Sequence, residues 1–226
     1  MRLFLRIGNL RKKHTRSPSN ETYTFVTPSH EKLFTEIFFP SVPASFELVI
    51  HKMDVPGPGR FMDKTYMKSL SLRVLHILSS IRDNRDKVIA WSDVDVFFTS
   101  EFSNDVAWSH FNCGRESLVF SRLGLEGPQA CFGFFMMKCD DIALKFWEEV
   151  CRGVFNSSDK YDQIIGHDLL LKGETPFGIL PDSYYNHCFG TMPEEIFYLY
   201  HAACVEGVDE KLKVLKEVRE RFLPKE

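Results

Sequence analysis

IAWSDVDVFF (89–98) is the stretch on which the reading of this chain turns. An apolar, strand-like run ends in Asp93 and Asp95, two residues apart, and a second apolar run follows at once. In an extended segment the side chains at i and i+2 point the same way, so both carboxylates are expected to face one crevice at the strand's end. Two carboxylates held together repel and raise each other's pKa unless a positive charge lies between them. A hard divalent cation, Mn²⁺ or Mg²⁺, meets that need, and it is commonly held by one or two carboxylates that leave positions for substrate phosphates. A triplet of this kind arises roughly once by chance in a chain of this composition, and a solvated turn is the competing reading. Its place between two apolar runs, where unpaired charge is costly, favours a built site.

Outward from that stretch, apolar elements alternate in type. A strand is expected at Tyr23–Thr27, then a helix over His30–Phe39 with Leu33, Phe34, Ile37 and Phe38 at helical spacing, then a strand at Phe46–Ile50. Pro-Gly-Pro-Gly at 56–59 can continue neither type and reads as a loop. Lys64–Ile81 is the clearest helix, with Met67, Leu70, Leu72, Val74, Leu75 and Leu78 on its apolar side and Ile77 and Ile81 widening it. The short strand Lys87–Trp91 runs into the aspartates. Strands are expected at Ser117–Ser121, Phe132–Met137, Phe177–Leu180 and Ile196–Tyr200, and helices at Asp140–Arg152, Gln163–Leu171 and Asp209–Phe222. This order predicts an α/β fold with a mainly parallel central sheet, whose ligands bind at the carboxyl ends of the strands. No linker divides it, so a polar, basic segment over 1–22 and a single domain over 23–226 are expected.

The 226 residues carry 28 Lys and Arg against 31 Asp and Glu, a net charge of −3, which argues against a nucleic-acid binder. Hydrophobic residues at 44% exclude a disordered chain. The longest apolar run, 130–137, is interrupted by Gly133 and is far short of the ~20 residues of a membrane span. The basic N-terminus lacks the apolar stretch of a signal peptide. The six cysteines, at 113, 131, 139, 151, 188 and 204, form no Cys-x-x-Cys pair, and they read as buried thiols of a reducing compartment. A cytoplasmic location is therefore expected, in which the Asn-x-Ser/Thr triplets at Asn20 and Asn156 carry no meaning.

WSDVDVFF, after a long helix and a short apolar strand, resembles the Asp-x-Asp segment of glycosyltransferases with the GT-A fold, a single-domain, Rossmann-like nucleotide-binding architecture, and in particular the nucleotide-diphospho-sugar transferases. Further segments resemble that family in order. TFVTPSHEKLF (24–34) is similar to its first strand and nucleotide-binding loop, and CFGFFMMKCDD (131–141) to its acceptor-side Gly-Phe strand. GHDLLL (166–171) with ILPDSYYN (179–186) is similar to the segment carrying an acidic residue before a Leu-Pro strand, and YHAACVEG (200–207) with Lys211 to the C-terminal His segment.

The resemblance implies an enzyme that transfers a sugar from a nucleotide sugar, a UDP-sugar foremost, to a hydroxyl acceptor such as a saccharide. It implies Mn²⁺ or Mg²⁺ held by Asp95, with Asp93 as secondary ligand or ribose contact and His201 as third ligand. It assigns the nucleotide to Thr27 and Pro28 at the end of the first strand, with Arg73, Gly207 and Lys211 around the ribose and diphosphate. Read alone, Arg73 is equally the polar face of an amphipathic helix, Lys211 an exposed helix lysine, and His201 a structural histidine. For an inverting enzyme Asp168 would accept the acceptor's proton, and for a retaining one it would bind hydroxyls; Asp162 is its rival, because the family often shows Asp-Gln there. Gly133 is expected to admit a sugar close to the backbone. Three other readings stay open. One is a toxin-like enzyme that glycosylates a protein. Another is a nucleotidyltransferase, although TFVTPSHEK lacks that class's Gly-rich loop, or a phosphatase, although the haloacid type carries its Asp-x-Asp near the first strand and here it follows the third. The last is a non-catalytic binding module.

Overall fold

The computed structural model describes residues 21–55, 64–99, 102, 109, 116–124, 129–189 and 197–222. Most of the polar segment and the loop at 56–59 lie outside them, while Glu21 and Thr22, expected to close that segment, already belong to the first strand.

β1 (Glu21–Val26) pairs in parallel with β2 (Glu47–Lys52) along its whole length and with β3 (Val88–Ser92) on its other side. β6 (Ala130–Lys138) runs antiparallel between β3 and β5 (Leu118–Arg122), and β7 (Phe177–Ile179) adds in parallel to β5. The order is β2-β1-β3-β6-β5-β7, so five strands point one way and β6 alone opposes them. The α/β class and the mainly parallel sheet are as the sequence predicts. A second sheet of three short strands, in the order β4 (Val96–Phe98), β9 (Leu199–His201) and β8 (Tyr184–Asn186), lies beyond the aspartates. Its middle strand starts later than expected and takes in His201; Ile196 lies outside the described residues.

Both faces of the large sheet are covered, which is why β3 and β6 read as near-continuous apolar runs. On one face lie α2 (Lys64–Asp83), α3 (Asp141–Asn156) and α4 (Asp162–Leu171). Leu70, Val74, Ile77, Leu78 and Ile81 form the buried stripe of α2 at helical spacing. Asp140 caps α3 by accepting from the Ala143 amide at 3.0 Å. On the other face lie the small sheet, α5 (Val208–Phe222) and a helical stretch over 28–41, α1. α1 passes from a 3₁₀ turn at Pro28–His30 through a π-helical turn at Phe34–Phe38. Pro40 has no N–H to give toward the Glu36 carbonyl, and that oxygen accepts from Arg219 Nη1 of α5 at 2.9 Å, which ties the two helices together.

β6 is irregular where it matters. Its register against β5 jumps from Phe120–Phe135 to Ser121–Cys131, so a bulge spans 132–134. Phe132 and Phe135, three apart, consequently face the same core, while Phe134 and Met136 face the other. Such bulges re-aim side chains and occur often beside active sites.

Cys188 and Cys204 form a disulfide across 16 residues, joining the segment after β8 to the segment after β9. Cys131, Cys139 and Cys151 are free, and Cys113 lies outside the described residues. The expectation of six unpaired thiols therefore fails for this pair, because residues far apart in sequence meet at a sheet end. A disulfide is a feature of oxidising compartments, so the cysteine argument for the cytoplasm loses its support. No helix among the described residues is long and apolar enough to cross a membrane.

Candidate functional site

The carboxyl ends of β1 and β3 lie side by side because the two strands are parallel neighbours. Thr27 follows β1 and is buried, and exposed Pro28 opens the 3₁₀ turn behind it. Beyond Ser92 the chain leaves the large sheet in a turn through Val94 and Asp95 before entering β4. The aspartates thus sit in a turn between two sheets, rather than on the extended segment expected. The Asp93 amide donates to the Gly133 carbonyl of the bulge at 2.7 Å, and the Asp95 carbonyl accepts from the Ala202 amide at 3.0 Å. These two bonds pin the turn from both sheets.

The register of β4 on β9 sets Val96 opposite His201, which brings the His201 ring against Asp95, with Nε2 3.3 Å from Oδ1. Asp93, Asp95 and His201 each offer one ligand atom, and these atoms lie within 4.8 Å of one another. Two carboxylate oxygens and an imidazole nitrogen suit a divalent metal ion. Gly133 lies against this ring: a Cβ there would stand 2.0 Å from His201 Cε1. Its lack of a side chain makes room for a histidine, where the sequence suggested room for a sugar.

Lys211, in the first turn of α5, reaches back so that Nζ lies 2.6 Å from Asp95 Oδ2. Gly207, at φ +86°, turns the chain into that helix, and its carbonyl accepts from the Lys211 amide at 3.1 Å. Burial alone would raise the Asp95 pKa, but Lys211 and His201 outweigh it and hold the carboxyl well below its ordinary value. Burial likewise opposes the charges of Lys211 and His201, but Cys131 and Asp95 raise His201, and Asp95 raises Lys211, above their usual ranges.

Arg73 is buried under the site. Its Nη1 donates to both oxygens of Asp93, at 2.9 and 3.0 Å. Its Nη2 lies 2.8 Å from Asp162 Oδ2 and donates to the Phe132 carbonyl at 3.2 Å. The guanidinium thus binds two carboxylates and the bulge. Burial pushes the Asp93 carboxyl up to about 6 despite Arg73, and pushes Asp162 up as well.

The two candidates for the acceptor-side carboxylate are divided. Asp162 opens α4, is buried, and joins the cluster through Arg73. Asp168 lies on the exposed face of α4, with Oδ2 3.0 Å from Lys160 Nζ, and the structure does not bring it into the cluster.

A cleft of about 110 Å³ opens above Asp93 and Asp95 between α1 and α2, lined among others by Thr27, His30, Tyr66, Arg73 and Lys211. Sequence reasoning missed His30, whose Nδ1 lies 3.0 Å from Thr27 Oγ1 and 3.0 Å from Ser29 Oγ. Burial lowers its pKa against the pull of Asp95, so the ring favours its neutral form. It also missed Tyr66, although Tyr66 stands seven residues before Arg73 and so shares its helix face. Cys131, 3.4 Å from His201 Nδ1, left no signal beyond its place two residues before Gly133.

A model of the nucleotide-diphospho-sugar transferase family matches residues 42–215 of the chain. No curated protein sequence matches it. Among solved structures it is similar to one described as a glycosyltransferase involved in the glycosylation of the major capsid of PBCV-1, with a TM-score of 0.60 over 87% of this chain and 98% of that one. At 11% identity that likeness speaks for the fold alone.

Proposed function

Because the chain belongs to the nucleotide-diphospho-sugar transferase family, we propose that it moves a sugar from a nucleotide sugar, a UDP-sugar foremost, onto a hydroxyl of an acceptor such as a saccharide. The observation that carries the reading is the convergence of Asp93, Asp95 and His201 within 4.8 Å, with Lys211 beside them, at the carboxyl ends of β1 and β3. In this reading the three residues hold Mn²⁺ or Mg²⁺. A bound ion would neutralise the diphosphate and stabilise the charge it gains as the glycosidic bond breaks.

The acceptor oxygen bonds to the anomeric carbon while the nucleoside diphosphate leaves, so the chain's task is to bind and orient that leaving group. Arg73 fixes the Asp93 carboxylate by two hydrogen bonds, and a carboxylate has about four lone-pair positions, so capacity for a ligand remains. Lys211 sits at the positive end of the α5 dipole and supplies a second cation for the diphosphate. Thr27 and His30 line the cleft at what would be the nucleoside end, and Pro28 opens the turn between them. On the acceptor side, an inverting reaction would need a carboxylate to take the acceptor's proton and a retaining one a carboxylate to bind hydroxyls; Asp168, exposed and paired with Lys160, and Asp162, buried and paired with Arg73, are the two candidates for that part.

The test is a panel of nucleotide sugars incubated with and without Mn²⁺. Metal-dependent release of nucleoside diphosphate is expected from one of them. Asp95→Asn should abolish it while the thermal melt still shows a cooperative fold. Turnover that survives Asp95→Asn would remove Asp95 from the site.

A further inference from the structure

Cys131 is a buried, free thiol that the proposed reaction does not use. It sits at the start of the β6 bulge, on the far side of the His201 ring from Asp95: Sγ lies 3.4 Å from Nδ1, while Nε2 faces Asp95 Oδ1 at 3.3 Å. The sulfur has a second partner. Asn186 of β8, fully buried, donates from Nδ2 to Sγ at 3.3 Å. Asn186 is held in turn, because its Oδ1 accepts from the Cys188 amide at 3.1 Å. A buried relay therefore runs from the backbone through an amide and a sulfur to the imidazole.

The direction of the last bond decides what the ring can do. If the thiol S–H donated to Nδ1, a neutral imidazole would carry its proton on Nε2, and the nitrogen facing Asp95 could not ligate a metal. If Nδ1–H donates to the sulfur, Nε2 is the nitrogen that gives up its proton to an entering metal ion and turns a lone pair to the site. The Asn186 amide already treats the sulfur as an acceptor. Gly133 lies so close to the ring that the imidazole has little room to turn away. Metal-binding histidines generally give their other N–H to a fixed acceptor, which sets the tautomer and the ring plane.

We propose that Cys131 is a positioning residue for His201: its sulfur accepts the Nδ1–H bond and so aims the Nε2 lone pair at the space between Asp93 and Asp95. The inference rests on the metal-binding reading of that site. It adds that the site's affinity is set in part by a sulfur that never touches the ion.

The experiment is Mn²⁺ binding to the full chain, read by the loss of the free-ion paramagnetic resonance signal and without any nucleotide sugar. Four proteins are compared: wild type, His201→Ala, Cys131→Val and Cys131→Ser. Removing a partner of a metal-bound histidine typically weakens metal binding about 10- to 100-fold. Cys131→Val, similar in bulk but without an acceptor, should fall in that range. Cys131→Ser, whose hydroxyl accepts the same bond, should stay within about threefold of wild type. Cys131→Ala is read in the same way if the valine variant does not melt cooperatively. Equal weakening by Val and Ser, or wild-type affinity in the Val variant beside a weak His201→Ala, overturns the role of Cys131 and leaves the metal site standing. A wild-type protein that binds no Mn²⁺ overturns both.

Discussion

An alanine at position 133 would place its Cβ 2.0 Å from His201 Cε1, 2.5 Å from Nε2 and 2.8 Å from Nδ1. Carbon atoms rest at roughly 3.5–4.0 Å, so the ring or the bulge has to retreat by about 1.5 Å. Metal–ligand distances hold to about 0.2 Å, so a ring displaced that far no longer serves as a ligand. Overpacking of this kind costs about 1–3 kcal/mol. In a domain of this size each kcal/mol lowers Tm by roughly 2–4 °C. Two measurements therefore move together in Gly133→Ala: Tm falls by several degrees, and Mn²⁺ affinity falls to that of His201→Ala. The informative protein is the double variant. With an alanine at 201 the three atoms nearest that Cβ are gone, and Gly133 has no positive φ that would forbid a side chain. A glycine within a strand is itself unfavourable by roughly 0.5–1 kcal/mol, so Gly133→Ala should become neutral or stabilising in the His201→Ala background. Thermal and urea melts of the four proteins complete the cycle. An equal loss of stability in both backgrounds would show that Gly133 serves something other than the histidine ring.

Three further outcomes follow from the same geometry. Lys211 occupies Asp95 Oδ2, so Lys211→Met should bind Mn²⁺ alone more tightly, by roughly tenfold, or about 1.4 kcal/mol, yet bind UDP more weakly; a calorimetric titration in which both weaken contradicts the competition. Reducing the Cys188–Cys204 bond frees a segment of 16 residues and should cost about 3 kcal/mol in urea unfolding, whereas an unchanged midpoint with and without reductant means the link does not restrain the unfolded chain. Burial, with the adjoining His76 ring, pushes His51 down to about 4. Above its ordinary value near 6.5 the ring is neutral in both states and stability is flat. Between there and 4 only the unfolded chain takes up the proton, so stability falls as pH falls, by at most about 1.4 kcal/mol per pH unit and less given the ring's partial exposure. His51→Leu should flatten that part of the pH–stability curve; a curve that keeps its slope assigns the loss to other groups.

Elements with a strong period were legible in the sequence. The buried stripe of α2 and the apolar run of β3 declare themselves because each records, residue by residue, which side faces a core. Asp93, Asp95, His201 and Lys211 were also legible, by resemblance, and the structure brings all four together. What escaped depends on contacts between distant segments. A bulge has no local period, so the shift at 132–134 and the true neighbour of Gly133 are invisible until β6 is laid against β5. Arg73 looks like any polar residue on a helix; only the fold shows that it stands between Asp93 and Asp162. Where Asp162 and Asp168 lie depends on which face of α4 is covered, and a short helix with apolar residues all round does not announce that. The disulfide joins two cysteines whose spacing carries no motif.

Every acid in the cluster already has a cationic neighbour within the chain: Arg73 for Asp93 and Asp162, Lys211 for Asp95. In small zinc domains, by contrast, assembly itself waits for the ion. Here the charges of the cluster are already balanced within the chain, so its folding does not call for an ion. If the proposed ion sits there, a chelator should silence the activity without unravelling the protein, and restoring the ion should wake it without any refolding step.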